Sequence, residues 1–85
     1  MWIAKIVVNY KPGILNPEAK TIKNALGSLG YEGIDDIETG KYFQLTFSEE
    51  LSKDEVDKLT IDLCDRLLTN PVIQRYSYQL EEVSK

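Results

Sequence analysis

Trp2-Ile3-Ala4-Lys5-Ile6-Val7-Val8-Asn9-Tyr10 is the stretch that decides the fold. One alternating set, Trp2, Ala4, Ile6, Val8 and Tyr10, is wholly apolar or aromatic, and the other, Ile3, Lys5, Val7 and Asn9, is mixed. That period of two predicts a strand with one buried face. Lys11-Pro12-Gly13 breaks it, because proline cannot donate to a ladder and glycine permits a turn. Asn16-Pro17 then opens a helix, asparagine as N-cap and proline at the first helical position. Ala19, Ile22, Ala25, Leu26 and Leu29 follow on one stripe, and Gly30 is the expected C-terminal cap.

Further along, Tyr31 to Thr39 is expected to be a second strand, although Ile34 and Ile37 lie three apart and require a bulge near Asp35-Asp36. After Gly40, Lys41 to Ser48 resumes clear alternation with Phe43, Leu45 and Phe47 on one face. Ser52-Lys53-Asp54-Glu55 fits a capping box. A second helix is expected from there to about Leu68, with Val56, Leu59, Leu63 and Leu67 as its core stripe. Cys64, Ile61 and Leu68 widen its apolar arc beyond what packing on one sheet requires. Asn70-Pro71 ends the helix, Val72 to Leu80 reads as a last strand, and Glu81 to Lys85 as a frayed tail.

The order β-α-β-β-α-β in 85 residues makes one domain, residues 1–85. It predicts an α+β, ferredoxin-like sandwich, a four-stranded antiparallel sheet in the order 4-1-3-2 with both helices on one face. The other face of such a sheet starts bare. It presents Ile3, Lys5, Val7 and Asn9, then Tyr42, Gln44 and Thr46, and from the last strand either Ile73 and Arg75 or Val72 and Tyr76. This half-apolar surface reads either as a solvated face or as a wet, specific contact with another chain.

Composition removes much chemistry. The chain has no histidine and one cysteine, so imidazole catalysis, histidine metal sites, cysteine-rich zinc sites and internal disulfides are excluded. A net charge of −4 argues against a general nucleic-acid binder. The charge is uneven: residues 1–30 hold four lysines against Glu18 alone, and residues 31–85 hold six basic groups against thirteen acids. Either these are solvated faces of opposite bias, or the start of helix 1 suits an acidic partner. No apolar run is long enough to span a bilayer and the N-terminus lacks the order of a signal peptide, so no membrane and a cytoplasmic location are expected.

Paired acids such as Asp35-Asp36 cannot readily converge on one ion from a strand, since neighbours point to opposite faces. Cys64 has no basic neighbour at helical distance and reads as a small apolar filler. The loop Lys11-Pro12-Gly13-Ile14-Leu15-Asn16-Pro17 carries no phosphate-binding fingerprint, yet Ile14 and Leu15 are too apolar for a solvated turn. They read equally as helix-docking and as partner-contact residues. An RNA-recognition domain, a heavy-metal chaperone and an acylphosphatase-like enzyme each lack their required residues here.

The segments Val8-Asn9-Tyr10-Lys11-Pro12-Gly13-Ile14-Leu15-Asn16-Pro17, Ala25-Leu26-Gly27-Ser28-Leu29-Gly30-Tyr31, Gly40-Lys41 and Leu67-Leu68-Thr69-Asn70-Pro71-Val72-Ile73-Gln74-Arg75-Tyr76 are spread in order over nearly the whole chain. Together they resemble the PurS family, the small subunit of phosphoribosylformylglycinamidine synthase in purine biosynthesis. Glu38 and Gln74 depart from residues common there. The resemblance implies a subunit without its own active site, forming a dimer or tetramer. It would bridge an ATP-dependent synthetase subunit and a glutaminase subunit. The complex would convert formylglycinamide ribonucleotide, ATP and glutamine into formylglycinamidine ribonucleotide, ADP, phosphate and glutamate. No cofactor is expected on this chain, and ATP and magnesium would sit on the large subunit.

The expected partner interface comprises Lys11, Pro12, Gly13, Ile14, Leu15, Lys41, Tyr42, Asn70, Val72, Ile73 and Tyr76. For Val72, Ile73 and Tyr76 a structural role is an equal alternative. A second class of function stays open, a ferredoxin-like regulatory module binding a small metabolite at a homodimer interface.

Overall fold

The computed structural model describes residues 1–84; Lys85, the last residue of the expected tail, lies outside them. Three strands, β1 (Trp2–Tyr10), β2 (Gly40–Thr46) and β3 (Gln74–Glu82), form an antiparallel sheet in the order β2-β1-β3. Two helices, α1 (Pro17–Ser28) and α2 (Lys53–Leu63), complete the α+β chain. The buried side of β1 is the one its alternation marks: Ala4, Ile6 and Val8 are sealed from solvent. Phe43, Leu45 and Phe47 of the β2 strand and its end, and Tyr76, Tyr78 and Leu80 of β3, pack around them.

The β3 register pairs Asn9 with Arg75 and Val8 with Tyr76. Arg75 therefore lies on the bare face and Tyr76 on the covered one, and Ile73 precedes the strand. The strand also runs to Glu82, so the expected fraying at Glu81 and Glu82 does not occur. Their backbone pairs with Ile3 and Trp2. Gly40 faces Asn9 at the start of β2, where a Cβ would collide with the Val8 carbonyl oxygen.

Two corrections matter. Residues 31–39 form no strand, so the sheet has three strands and not the four of a complete ferredoxin-like domain. Gly33, at φ 85°, turns the chain within this segment, and Ile34 and Ile37 lack the spacing of a single face. The outer edge of β2 is left open.

The second correction concerns α2. Its capping box forms as expected: Ser52 Oγ accepts from the Glu55 N–H (3.2 Å) and Glu55 Oε1 from the Ser52 N–H (3.4 Å). Past Leu63 the helix widens into a π-helical turn, Cys64–Leu68, closed by the Thr69 N–H on the Cys64 carbonyl at 3.0 Å. The wider turn rotates the residues after it away from the α-helical phase. Leu67 is consequently 73% exposed and not core, and Leu68 packs on the core in its place. The residues sealed beneath α2 and this turn are Val56, Thr60 and Cys64, four apart. Thr60 is tolerated there because its Oγ1 donates to the Val56 carbonyl at 2.7 Å.

Candidate partner-binding surface

α2 lies over β1, and it and the π-helical turn after it are each tied to β3 by a tyrosine. Tyr78 Oη donates to Asp57 Oδ1 at 2.7 Å, and Tyr76 Oη to Asp65 Oδ1 at 3.1 Å. The Asp57 hydrogen bond, then burial, pushes the Tyr78 phenol up to about 12. Burial, then the Asp65 bond, raises Tyr76, and burial raises the Cys64 thiol. Tyr76 thus anchors the helix; of its two expected roles the structural one is what its geometry serves.

On the opposite face, Val7 and the 57%-exposed Tyr42 are apolar neighbours across the β1–β2 pair. Lys5 Nζ meets Glu81 Oε2 at 2.6 Å across β1 and β3, and that hydrogen bond raises the lysine pKa. Lys5, Val7, Tyr42 and Ser77 line a shallow depression on this face.

The loop after β1 forms a third surface. The Lys11 N–H donates to the Ile73 carbonyl at 2.9 Å, fixing the loop against the approach to β3. Asn16 caps α1 as its sequence position predicts, with Oδ1 accepting from the Ala19 N–H (3.1 Å), while its Nδ2 donates to Thr39 Oγ1 at 2.9 Å. Between the loop and residues 36–39 lies a groove of about 430 Å³. Lys11, Lys20 and Lys23 border it, but so do Asp36 and Glu38, so its charge is mixed.

The expected interface residues therefore divide. Lys11, Pro12, Gly13, Ile14 and Leu15 come together as the exposed wall of the groove. Lys41 is exposed nearby, lining a smaller cleft with Pro17 and Gln74. Asn70 shapes the turn into β3: its Oδ1 accepts from the Val72 N–H (3.1 Å) and its N–H donates to Gln74 Oε1 (2.9 Å). That turn holds Val72 out at 76% exposure, while Ile73 is half-buried. Tyr42, on the bare face, belongs to none of these. The expected set is not one patch.

Sequence reasoning missed an apolar exposure outside these positions. Leu29, Tyr31 and Ile34 are all exposed where α1 ends and residues 31–39 begin. The signal was present, since Leu29 continues the α1 stripe, but that stripe was expected to face the chain's own sheet.

Comparison with known proteins gives these surfaces a context. The chain matches the model of the family PurS, phosphoribosylformylglycinamidine (FGAM) synthase, over residues 3–82. It belongs to the PurS family. The FGAM synthase subunit PurS of Bacillus subtilis (strain 168) is 37% identical over 98% of this chain and 96% of that relative. The crystal structure of Methanocaldococcus jannaschii PurS, one of the subunits of formylglycinamide ribonucleotide amidotransferase in the purine biosynthetic pathway, matches with a TM-score of 0.87. It is 32% identical and covers 99% of this chain and 100% of that one. A chain of the PurLQS structure from Thermotoga maritima shares the fold, with a TM-score of 0.81 at 22% identity over 95% of this chain and 99% of that one.

Proposed function

We propose that this PurS chain is a non-catalytic adaptor of FGAM synthase. It associates with itself and bridges the ATP-dependent synthetase subunit to the glutaminase subunit in the cytoplasm. Self-association also completes the four-stranded, ferredoxin-like sheet that one chain leaves unfinished. The reaction itself, formylglycinamide ribonucleotide with ATP and glutamine giving formylglycinamidine ribonucleotide, ADP, phosphate and glutamate, runs on the partners, where ATP and magnesium bind. Ammonia released at one site must reach the other before it escapes into water. Holding the two catalytic subunits in one geometry serves that need by positioning.

The observation that carries this reading is the match to PurS over residues 3–82, joined to apolar exposure on α1, the 11–15 loop, the bare sheet face and the flank of α2. Lys11 and Lys41, both exposed, are assigned to steering and pairing with partner acids. The experiment is co-purification of the chain with the two catalytic subunits. Lys41→Glu is expected to weaken assembly at low salt while the fold remains intact; unchanged assembly would remove Lys41 from the interface. Failure of the unsubstituted chain to bind either subunit would overturn the adaptor reading.

The 430 Å³ groove favours one second reading, a metabolite site at a homodimer contact. Calorimetric uptake of an amino acid or nucleotide by the purified chain would support it.

A further inference from the structure

β3 ends the sheet on the side away from β2. Its nine residues, Gln74–Glu82, pair with β1 in one unbroken register, from Tyr10 with Gln74 to Trp2 with Glu82. Natural edge strands are commonly blunted by a bulge, a proline or short length, and β3 has none of the three. Its backbone phase is also fixed. The Lys11 N–H donates to the Ile73 carbonyl and the Val83 N–H to the Met1 carbonyl, both at 2.9 Å. Residues of odd number in β3 therefore aim their backbone at β1, and Tyr76, Tyr78, Leu80 and Glu82 aim theirs outward.

The side chains along this edge are complementary to themselves. Arg75, Ser77, Gln79 and Glu81 stand exposed on the bare face, and Tyr76, Tyr78 and Leu80 are half-buried on the covered one. Laid antiparallel against a second copy with Tyr78 opposite Tyr78, the strand brings Arg75 opposite Glu81, Ser77 opposite Gln79 and Tyr76 opposite Leu80. Outward-aimed backbone then meets outward-aimed backbone, as a hydrogen-bonded ladder requires. Arg75 and Glu81 fall at a non-hydrogen-bonded position, where side chains approach most closely and opposite charges stabilise. Sliding the copy by two residues either way sets Arg75 against Gln79 or Val83 and loses both charge pairs. Among the described residues Arg75 makes no ion pair, while Glu81 meets Lys5 through Oε2. The new pair would extend that bridge into a chain of three charges across two copies.

We propose that two copies of this chain join β3 to β3 in this register, forming one continuous antiparallel sheet with a two-fold axis between the paired Tyr78 residues. There is room for it. Strands lie about 4.8 Å apart, so the two β1 strands, and the α2 helices over them, stand about 14 Å from each other. That exceeds the 8–10 Å or so of helices in contact. The space between them receives Ile61, exposed four residues from both Asp57 and Asp65, on the flank that those aspartates turn to β3.

This contact deepens the self-association of the proposed function and rests on it, but it uses the opposite end of the sheet from the open edge of β2. Its tests read β3 alone. Failed cross-linking leaves bridging of the catalytic subunits standing, and failed co-purification leaves the β3 contact standing.

Ser77→Cys and Gln79→Cys place exposed thiols on directly opposed residues, whose Cα atoms are about 4.5 Å apart and within disulfide reach. Identical positions on the two copies face each other only diagonally, at about 7–8 Å. On oxidation, the mixture of the two variants is expected to give a disulfide-linked dimer, and neither variant alone. Arg75→Glu and Glu81→Arg each oppose like charges across the axis. Each is expected to raise roughly tenfold the concentration at which the Tyr76, Tyr78 and Leu80 amides become protected from hydrogen exchange. Mixing these two variants rebuilds both charge pairs and should recover the protection.

Free exchange of those three amides up to millimolar concentration overturns the proposal. So does cross-linking of either cysteine variant alone as readily as the mixture. Charge variants that leave protection unchanged, or that mixing fails to rescue, overturn it as well.

Discussion

The sheet with α2 and the arm of residues 17–39 solve the same problem with opposite success. In the first, β1 lies between two neighbours, Ala4, Ile6 and Val8 are sealed, and two tyrosine–aspartate bonds lock the helix down. In the second, every local signal is satisfied. Asn16 caps α1, and at its other end the Gly30 and Tyr31 N–H groups donate to the Gly27 and Leu26 carbonyls, the pairing that closes a helix at a left-handed glycine. Yet Ala19 is the only α1 residue that is buried. Good local structure is therefore no guide to whether an element has found its packing partner. A twelve-residue helix without tertiary contacts is marginal in water, so the arm draws its lasting order from whatever covers it.

The largest expected effect sharpens that contrast. Ile6→Ala, in the centre of the sealed layer, should cost about 2–5 kcal/mol in denaturant unfolding, and the loss should not depend on protein concentration. Leu29→Ala should instead show a loss that grows with concentration, as the associated state is populated. Equal, concentration-independent losses at both positions would erase the distinction between the two regions.

Gly40→Ala tests the join between them, where residues 31–39 lead into β2. The Val8 carbonyl has no room for a Cβ, and overpacking of this kind costs about 1–3 kcal/mol. A neutral result would mean that the β1–β2 register is looser there than the pairing of Asn9 with Gly40 requires.

A smaller effect is electrostatic. Folding raises the Tyr78 pKa from 10.0 to about 12. For a raised pKa the stabilisation is complete below the unfolded value and is lost as pH climbs through the folded one. Stability should thus fall between about pH 10 and 12, and Tyr78→Phe should flatten part of that fall. An unchanged alkaline profile would detach Tyr78 from the locking of α2. Least of all, Leu67→Ala should change stability by less than about 0.5 kcal/mol, as for other solvent-facing sites. A core-sized loss would restore Leu67 to the packed stripe and contradict the π-helical turn.

These predictions mark where the sequence was legible. Alternation in Trp2–Tyr10 identified the buried face correctly, and Asn16-Pro17 and Ser52–Glu55 placed both helix starts, because these signals act within a few residues. The failures are non-local. A change of helical pitch over Cys64–Leu68 moved Leu67 outward, and nothing in a run of leucines announces such a turn. Residues 31–39 read as a strand only if a bulge near Asp35-Asp36 restored their pairing, but a strand exists only with a paired edge, and these residues pair with none. The candidate surface was half legible for a related reason. Residues 11–15 lie exposed along one groove, while Tyr42 and Tyr76 fell on opposite faces once register fixed them.

The adaptor role is tested most directly by FGAM synthesis with the synthetase and glutaminase subunits, assayed with and without this chain and with glutamine or free ammonia as nitrogen donor. The account predicts that glutamine-supported synthesis collapses without the chain while ammonia-supported synthesis by the synthetase subunit persists. Equal glutamine-supported synthesis in the absence of the chain would contradict it.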